Sequence, residues 1–227
     1  MEKVVELKGD PWAHQMLRSS YEAGYRFDPG FPGFRADLYY VDDLGNEVGC
    51  VKAVSPGDIE VECDLREAGE WVRRELASLL WHRWPVSYGE ADGRHRLTLG
   101  RREHPLGTLV EVRDGSGSAY RVLGGQVSYI RRNHGGLRLE ITIHRRETVH
   151  DGRTLPVQFA ISYWDAGLDL LLRTDSYADY YTPVGGFYLP VSRRIVSAAR
   201  EGLAVRQLML KDHELLGALP GTGPVGR

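Results

Sequence analysis

Four polar residues on one predicted strand have the types and spacing that acid–base chemistry needs. Asp169, Arg173, Asp175 and Tyr177 are separated by even numbers of residues, so they lie on one face of a strand over 168–180. If this face is directed at solvent, it is a row of solvated ion pairs. If it is directed inward, it is a polar floor with general acid–base capacity, because charged residues are seldom buried without a task. The direction of this face distinguishes a binding protein from a small-molecule enzyme.

The sequence lacks the motifs that identify common catalytic sites. It has no phosphate-binding glycine loop with Lys-Ser/Thr, no Gly-x-Ser-x-Gly and no His-Glu-x-x-His. Among the eight histidines, His134, His144 and His150 are close in sequence but lack the same-face spacing of metal ligands on a strand. We therefore predict no metal site and no cofactor.

Arginines are concentrated in the middle of the chain, where residues 94–153 contain twelve Arg, no Lys and six carboxylates. This stretch has a net charge of +6, whereas the whole chain has −2. The members around one predicted hairpin are Arg131, Arg132, Arg138, Arg145 and Arg146. They are either a solvated strand face paired with Glu140 and Glu147, or a rim that receives an anionic headgroup or an acidic partner. Nucleic acid is not predicted as a partner, because only Tyr129 is interleaved with these arginines.

One long amphipathic helix is predicted over 65–82, with Asp64 as its N-cap and Pro85 as its stop. Its apolar stripe consists of Leu65, Ala68, Val72, Leu76 and Leu79. The C-terminal end, which includes Leu80, is apolar on more than one side, since Trp81 lies opposite Val72 and Trp84 lies far from the stripe. Both apolar sides of this end must be covered, one by the sheet and the other by a second group, so we expect the end to form one wall of a pocket. A shorter helix begins at Asp10-Pro11 and ends near Gly24.

The loop Phe27–Phe34 contains three phenylalanines, two prolines and two glycines. It either plugs the end of the core or forms the rim of a pocket, with Phe31 and Phe34 as contacts. Tyr181 and Tyr188, near the Pro183–Gly186 turn, either pack in the core or line a pocket mouth.

The rest of the chain has the two-residue period and turn signals of β-strands. Strands are predicted at 35–41, 47–54, 59–63, 94–99, 109–113, 120–123, 127–132, 137–149, 157–164, 168–180, 187–198 and 204–211. No helix-length segment separates the later strands, so the sheet must be antiparallel. If Val54 pairs with Ile59, Cys50 lies opposite Cys63; we expect two packed thiols, with a redox switch as the alternative.

Two groups of residues resemble known families. Gly186-Phe-Tyr-Leu-Pro190 before a final hairpin resembles the end of the Lol-type lipoprotein carriers, as does the order of helix, Phe-Pro-Gly-Phe loop and strands at the front. Phe31–Asp37 and Tyr88-Gly-Glu90 resemble an uncharacterised domain-of-unknown-function family with this layout. The resemblance covers about residues 10–215 and implies a half-barrel whose apolar concave side, lidded by helices, holds acyl chains in the carriers.

We therefore predict a mainly β (α+β) fold: a curved antiparallel sheet forming a half-barrel around one long helix, plus a short N-terminal helix. Residues 1–216 form one domain and 217–227 a disordered tail. No secretory signal or membrane span is visible, which predicts a cytoplasmic protein.

The predicted function is non-enzymatic binding of a hydrophobic or lipid-like small molecule, such as an acyl chain. The residues predicted to bind it are Phe31, Phe34, Leu76, Leu80, Trp81, Trp84, Arg131, Arg138, Tyr181 and Tyr188. The alternatives are an enzyme that uses the Asp169–Tyr177 row inside the cup, and a protein-interaction module without a pocket. The oligomeric state is not predicted.

Overall fold

The computed structural model describes residues 9–217. Within them are α1 (Pro11–Glu22), α2 (Arg66–Arg83), a short 3-10 turn (Asp92–Arg94) and twelve strands. The strands are β1 (Phe34–Asp42), β2 (Gly45–Ser55), β3 (Asp58–Cys63), β4 (Arg96–Leu99), β5 (Thr108–Arg113), β6 (Ala119–Leu123), β7 (Gln126–His134), β8 (Leu137–Thr148), β9 (Thr154–Asp165), β10 (Leu170–Val184), β11 (Phe187–Ala199) and β12 (Gly202–Leu215). The predicted tail, apart from Gly217, lies outside the described residues.

The strands form an antiparallel sheet in the order β3-β2-β1-β12-β11-β10-β9-β8-β7-β6-β5-β4. Because β3 and β4 are its two edges, the sheet is not closed into a barrel. Every predicted strand is present, and the predicted mainly β fold class, an antiparallel sheet with one long helix and a short N-terminal helix, is confirmed.

The described residues divide into two compact units, and strands β10 to β12 contribute to both. Unit 1 contains residues 9–25, Val86–Asp179 and Arg194–Val205. Unit 2 contains Arg26–Pro85, residues 180–193 and residues 206–217. The prediction of a single domain over 1–216 stays a prediction.

In unit 1, helix α1 covers part of the sheet. Asp10 caps it, since its carboxylate accepts from Trp12 N at 2.9 Å, as the sequence predicts. The helix lies on β4, β6 and β7. Its buried apolar residues, Ala13 and Leu17, pack in one cluster with Leu97 and Val110.

In unit 2, helix α2 packs on β2 and β3. The predicted apolar stripe is buried from Ala68 to Leu79, because these residues face the sheet. One detail of the prediction is wrong. The N-cap is Leu65 instead of Asp64, without a side-chain cap, and Leu65 is 47% exposed.

The predicted opposition of Cys50 and Cys63 is wrong. A register shift between Ala53 and Ser55 places Glu62 opposite Cys50 and Gly49 opposite Cys63. Both thiols are free, and Cys50 Sγ donates to Glu62 at 3.5 Å. Burial, followed by neighbouring carboxylates, raises the pKa of both thiols, which lowers their thiolate fraction and their reactivity.

Candidate functional site

An apolar surface lies on one face of β7–β10 in unit 1. Ile130, Ile141 and Ile161 stand directly opposite one another on three neighbouring strands, and Ile143 stands opposite Phe159 in the adjacent row. We call these five residues the apolar face. All five are only half-buried, although a Leu- or Ile-sized side chain gains ~1.5–3 kcal/mol from full burial. The face therefore retains apolar area that a ligand can cover.

A group of polar side chains continues the same rows on β9 and β10. Asp175 stands opposite Ile161, Tyr177 opposite Phe159 and Arg173 opposite Tyr163. We call Tyr163, Arg173, Asp175 and Tyr177 the polar cluster.

Its groups contact one another closely. Arg173 Nε lies 3.1 Å from Asp175 Oδ1, and the Arg173 guanidinium lies 4.3 Å from the centre of the Tyr163 ring. Tyr177 stacks on Phe159 with ring centres 4.5 Å apart. The polar cluster is therefore joined directly to the apolar face.

The polar cluster is partly removed from water, and this changes its electrostatics. Asp175 is 4% exposed, and its Oδ1 lies at ion-pair distance from Arg173 but has no aligned hydrogen bond among the described residues. Burial, followed by the Asp175 charge, raises the pKa of Tyr163. Tyr163 thus remains a protonated hydroxyl. The arrangement offers a cation, a carboxylate and two hydroxyl groups beside an apolar surface.

A second polar group lies on β6 and β7 of unit 1. Arg132 stands opposite Leu139, in the same row as Tyr163 and Arg173. Its guanidinium donates to Asp92 at 3.2 Å and to the Tyr120 hydroxyl, which in turn donates to Asp92. Burial, followed by Asp92, raises the pKa of Tyr120. Arg132 Nη1 is buried without a hydrogen-bond partner in residues 9–217, so this row has an unused donor.

The two arginines predicted to bind the ligand lie on the opposite face of the same strands. Arg131 stands opposite Glu140, and Arg138 stands opposite Trp164. Arg138 is 4.9 Å from the centre of the Trp164 ring and forms ion pairs with Glu140 at 3.0 Å and Asp169 at 2.8 Å. A ligand on the apolar face would meet Arg132 and Arg173 instead.

The remaining residues predicted to bind the ligand lie in unit 2, in three different environments. Leu76, Leu80 and Phe34 are fully buried core residues. Trp81 is 68% exposed, and Trp84 is half-buried.

The loop and the end of α2 meet as an aromatic cluster in unit 2. Phe31 stacks on Phe27 at 4.0 Å and contacts Phe187 at 5.1 Å and Trp84 at 6.3 Å between ring centres. Arg83 donates to the Tyr181 hydroxyl at 2.7 Å, and Tyr188 is half-buried on β11. These contacts favour the interpretation of the loop as a plug of the core, and ligand contacts there stay predictions.

The row predicted for the enzymatic alternative is brought together only in part. Asp175 and Tyr177 are buried, and Arg173 contacts Asp175. Asp169 belongs to the turn before β10, where its side chain is 76% exposed and paired with Arg138. The register shift between Leu171 and Arg173 breaks the simple alternation on which the prediction relied.

Sequence reasoning missed the residues of the apolar face as a site, although it noticed part of their pattern. Leu139, Ile141 and Ile143 alternate with polar residues on β8, which predicts one buried face and one wet face. In the structure the residues of both faces from Leu139 to Ile143 are half-buried. Arg132 was predicted only as one of the arginines around the hairpin, and Tyr163 was not predicted, because their place in the row depends on pairing across four strands.

A cavity of about 560 Å³ lies in unit 2 between the β1–β2 hairpin and the first turns of α2. Tyr40 and Trp71, with ring centres 5.3 Å apart, are among its lining residues. Burial, followed by the hydrogen bond to Asp42, raises the pKa of Tyr40 to about 12. Both signs of charge surround the cavity, including Glu47, Glu67, Glu70, Arg74 and Arg206. Such a polar lining does not suit an acyl chain.

No three His, Cys, Asp or Glu side chains in 9–217 are grouped so that they could hold a metal ion. Over the same residues, neither helix combines the length and the apolar character needed to cross a membrane.

Three solved structures are similar to the chain at low sequence identity. A LolA superfamily protein from Nitrosomonas europaea has 13% identity and a TM-score of 0.40, with 89% of this chain and 93% of that one covered. A putative outer membrane lipoprotein-sorting protein domain from Vibrio parahaemolyticus has 9% identity and a TM-score of 0.35, with 91% and 93% covered. A DUF1329 family protein from Desulfovibrio piger has 8% identity and a TM-score of 0.26, with 93% and 95% covered.

The family is identified by sequence. No curated protein matches the chain. Residues 9–216, nearly the full length, match the family described as protein of unknown function (DUF3386). The predicted resemblance to an uncharacterised domain family is thereby confirmed, and Lol-type proteins are among the structures to which the chain is similar. The chain belongs to the DUF3386 family.

Proposed function

We propose that this protein binds a hydrophobic or lipid-like small molecule on the apolar face of β7–β10. The observation that carries the proposal is the half-buried row of Ile130, Ile141 and Ile161, with the polar cluster at its end. Covering apolar area is worth roughly 25 cal/mol per Å², so a long-chain ligand gains affinity from every residue of this face.

The polar cluster fits the polar end of such a ligand. Arg173 has a half-exposed guanidinium, and Asp175 and Tyr163 supply an acceptor and a hydroxyl beside it. Apolar pockets with few polar groups use those groups to orient the ligand. We infer that the ligand is amphipathic, with its chain on the apolar face and its polar group at Arg173.

The experiment is a titration with a fluorescent fatty-acid analogue. Ile141→Asn changes the apolar face, and Thr142→Asn is the matched control, because Thr142 is the next residue on β8 and lies on the opposite face. We expect Ile141→Asn to weaken binding about tenfold or more, since the contact it removes is worth ~1.5 kcal/mol. Thr142→Asn should bind like the unchanged protein. Equal binding by the two variants, or no binding of any long-chain ligand by the unchanged protein, would overturn the proposal.

A further inference from the structure

The polar cluster has a counterpart in unit 1, on the side of the apolar face where β7 lies. In the polar cluster, the Arg173 guanidinium lies 4.3 Å from the centre of the Tyr163 ring. In the counterpart, the Arg132 guanidinium lies 4.7 Å from the centre of the Tyr120 ring and pairs with Asp92 at 3.2 Å. We call Arg132, Tyr120 and Asp92 the Arg132 group. Both groups therefore present an arginine that is stacked on a tyrosine and paired with a carboxylate.

The strand register places the two arginines at the ends of one row. Arg132 on β7 stands opposite Leu139, Leu139 stands opposite Tyr163, and Tyr163 stands opposite Arg173 on β10. Because neighbouring strands are roughly 4.8 Å apart, the backbones of the two arginines are about 14 Å apart along the sheet. The isoleucine row of the apolar face lies two residues away on each of β7, β8 and β9. A chain that starts at Arg173 and crosses the sheet along the isoleucines therefore ends beside Arg132.

Arg132 retains hydrogen-bonding capacity at that end of the row. The hydrogen bonds that its guanidinium donates to Asp92 and to the Tyr120 hydroxyl both come from Nη2. Its Nη1 is buried and has no acceptor among residues 9–217, although the side chain as a whole is 35% exposed. A buried donor without an acceptor costs free energy, which an acceptor on a ligand would recover. A carboxylate suits this place, because it accepts two N–H groups of one guanidinium.

We propose that the ligand of the apolar face carries a carboxylate at each end of its chain, one at Arg173 and the other at Arg132. This inference rests on the proposed function and specifies the class of its ligand. A fatty acid with one carboxylate would place an apolar chain end beside Arg132 and leave Nη1 without an acceptor. Asp92 contacts Nη2, so Asp92 and the second carboxylate use different nitrogens of the guanidinium.

The test compares dodecanedioic acid, whose extended chain can span the row, with dodecanoic acid, which lacks the second carboxylate. Isothermal titration calorimetry measures the affinity of the protein for each acid, and this comparison on the unchanged protein needs no variant. Arg132→Gln removes the guanidinium. Arg131→Gln is the matched control, because Arg131 is the neighbouring residue on β7 and stands opposite Glu140 on the other face. Circular dichroism verifies that each variant is folded.

We expect the unchanged protein and Arg131→Gln to bind dodecanedioic acid about tenfold more tightly than dodecanoic acid. Arg132→Gln should lose this preference and bind dodecanoic acid like the unchanged protein. If the unchanged protein binds dodecanoic acid as tightly as the diacid or more tightly, the ligand with two carboxylates is refuted and the proposed function stands. The same conclusion follows if the two variants lose the preference equally. Failure of both acids to bind the unchanged protein would overturn the proposed function itself.

Discussion

Replacing Asp175 by leucine tests whether its carboxylate contributes to ligand binding or to the stability of the fold. Asp175 is 4% exposed and stands opposite Ile161 on the apolar face. Its partner, Arg173, has a side chain that is 46% exposed and can reach water without it. The change therefore puts an apolar side chain in an apolar row and leaves a cation that remains solvated.

The magnitude follows from three contributions. Burial of a leucine against Ile161 contributes ~1.5–3 kcal/mol. Loss of the half-exposed ion pair with Arg173 costs ~0–1 kcal/mol, because solvent screens such pairs. Removing a buried carboxylate also removes its desolvation penalty, so substitutions of this kind are often neutral or stabilising. We expect Asp175→Leu to raise the free energy of unfolding by ~1–2 kcal/mol, or about 2–8 °C in the melting temperature, and to weaken ligand binding.

Urea unfolding measures the change in the free energy of unfolding, and titration with the fluorescent fatty-acid analogue measures the loss of binding. Asp92→Leu is the comparison, because Asp92 accepts from both Tyr120 and Arg132 and its loss leaves their hydrogen bonds unmade. That variant should lose ~1–3 kcal/mol, because the hydroxyl of the buried Tyr120 and the half-buried Arg132 guanidinium lose their acceptor. A loss of more than ~2 kcal/mol in Asp175→Leu would contradict the reasoning, since Asp175 would then be a structural residue.

Three further predictions concern stability. Leu76→Ala should destabilise unit 2 by ~2–5 kcal/mol in urea unfolding, because Leu76 is fully buried, whereas Trp81→Ala should change it by less than ~0.5 kcal/mol. Asp10→Ala should cost ~0.5–2 kcal/mol by the same assay, and no loss would mean that the cap of α1 is not used. Burial lowers the pKa of His213, whose ring lies 2.9 Å from the Pro190 carbonyl oxygen. The unfolded chain then binds the proton more readily, so stability should fall as pH falls below about 6.5, and the urea midpoint of His213→Gln should depend less on pH over this range.

Local patterns predicted the elements well. The Asp10-Pro11 start of α1, the extent of α2 and all twelve strands depend on short-range spacing and turn residues, which the sequence displays directly. The predictions that were wrong differ from the structure by one residue position. Leu65 instead of Asp64 is the N-cap of α2, and the shift between Ala53 and Ser55 separates the two cysteines. Neither a bulge nor an uncapped helix start has a distinct sequence signal.

The candidate site was harder to predict than the fold, because it depends on how four strands pair. The sequence places Arg131, Arg132 and Arg138 around one hairpin, and Arg131 and Arg138 were predicted to bind the ligand. The register of β7 and β8 instead places Arg132, not Arg131, in the row of Leu139. The same register carries that row to Tyr163 and Arg173. A single sequence gives the period of each strand but not its register with neighbours. The cytoplasmic location also stays a prediction.

The most direct test of ligand binding on the apolar face is the position of a crosslink. A fatty acid carrying a photoactivatable diazirine at the end of its chain would be bound to the purified protein, irradiated and mapped by peptide mass spectrometry. We expect the label on β7 to β10, in peptides that contain Ile130, Ile141 or Ile161, and a loss of the label in Ile141→Asn. Labelling of α2 at Trp81 or of the loop Phe27–Phe34, or no labelling at all, would contradict the proposed binding site.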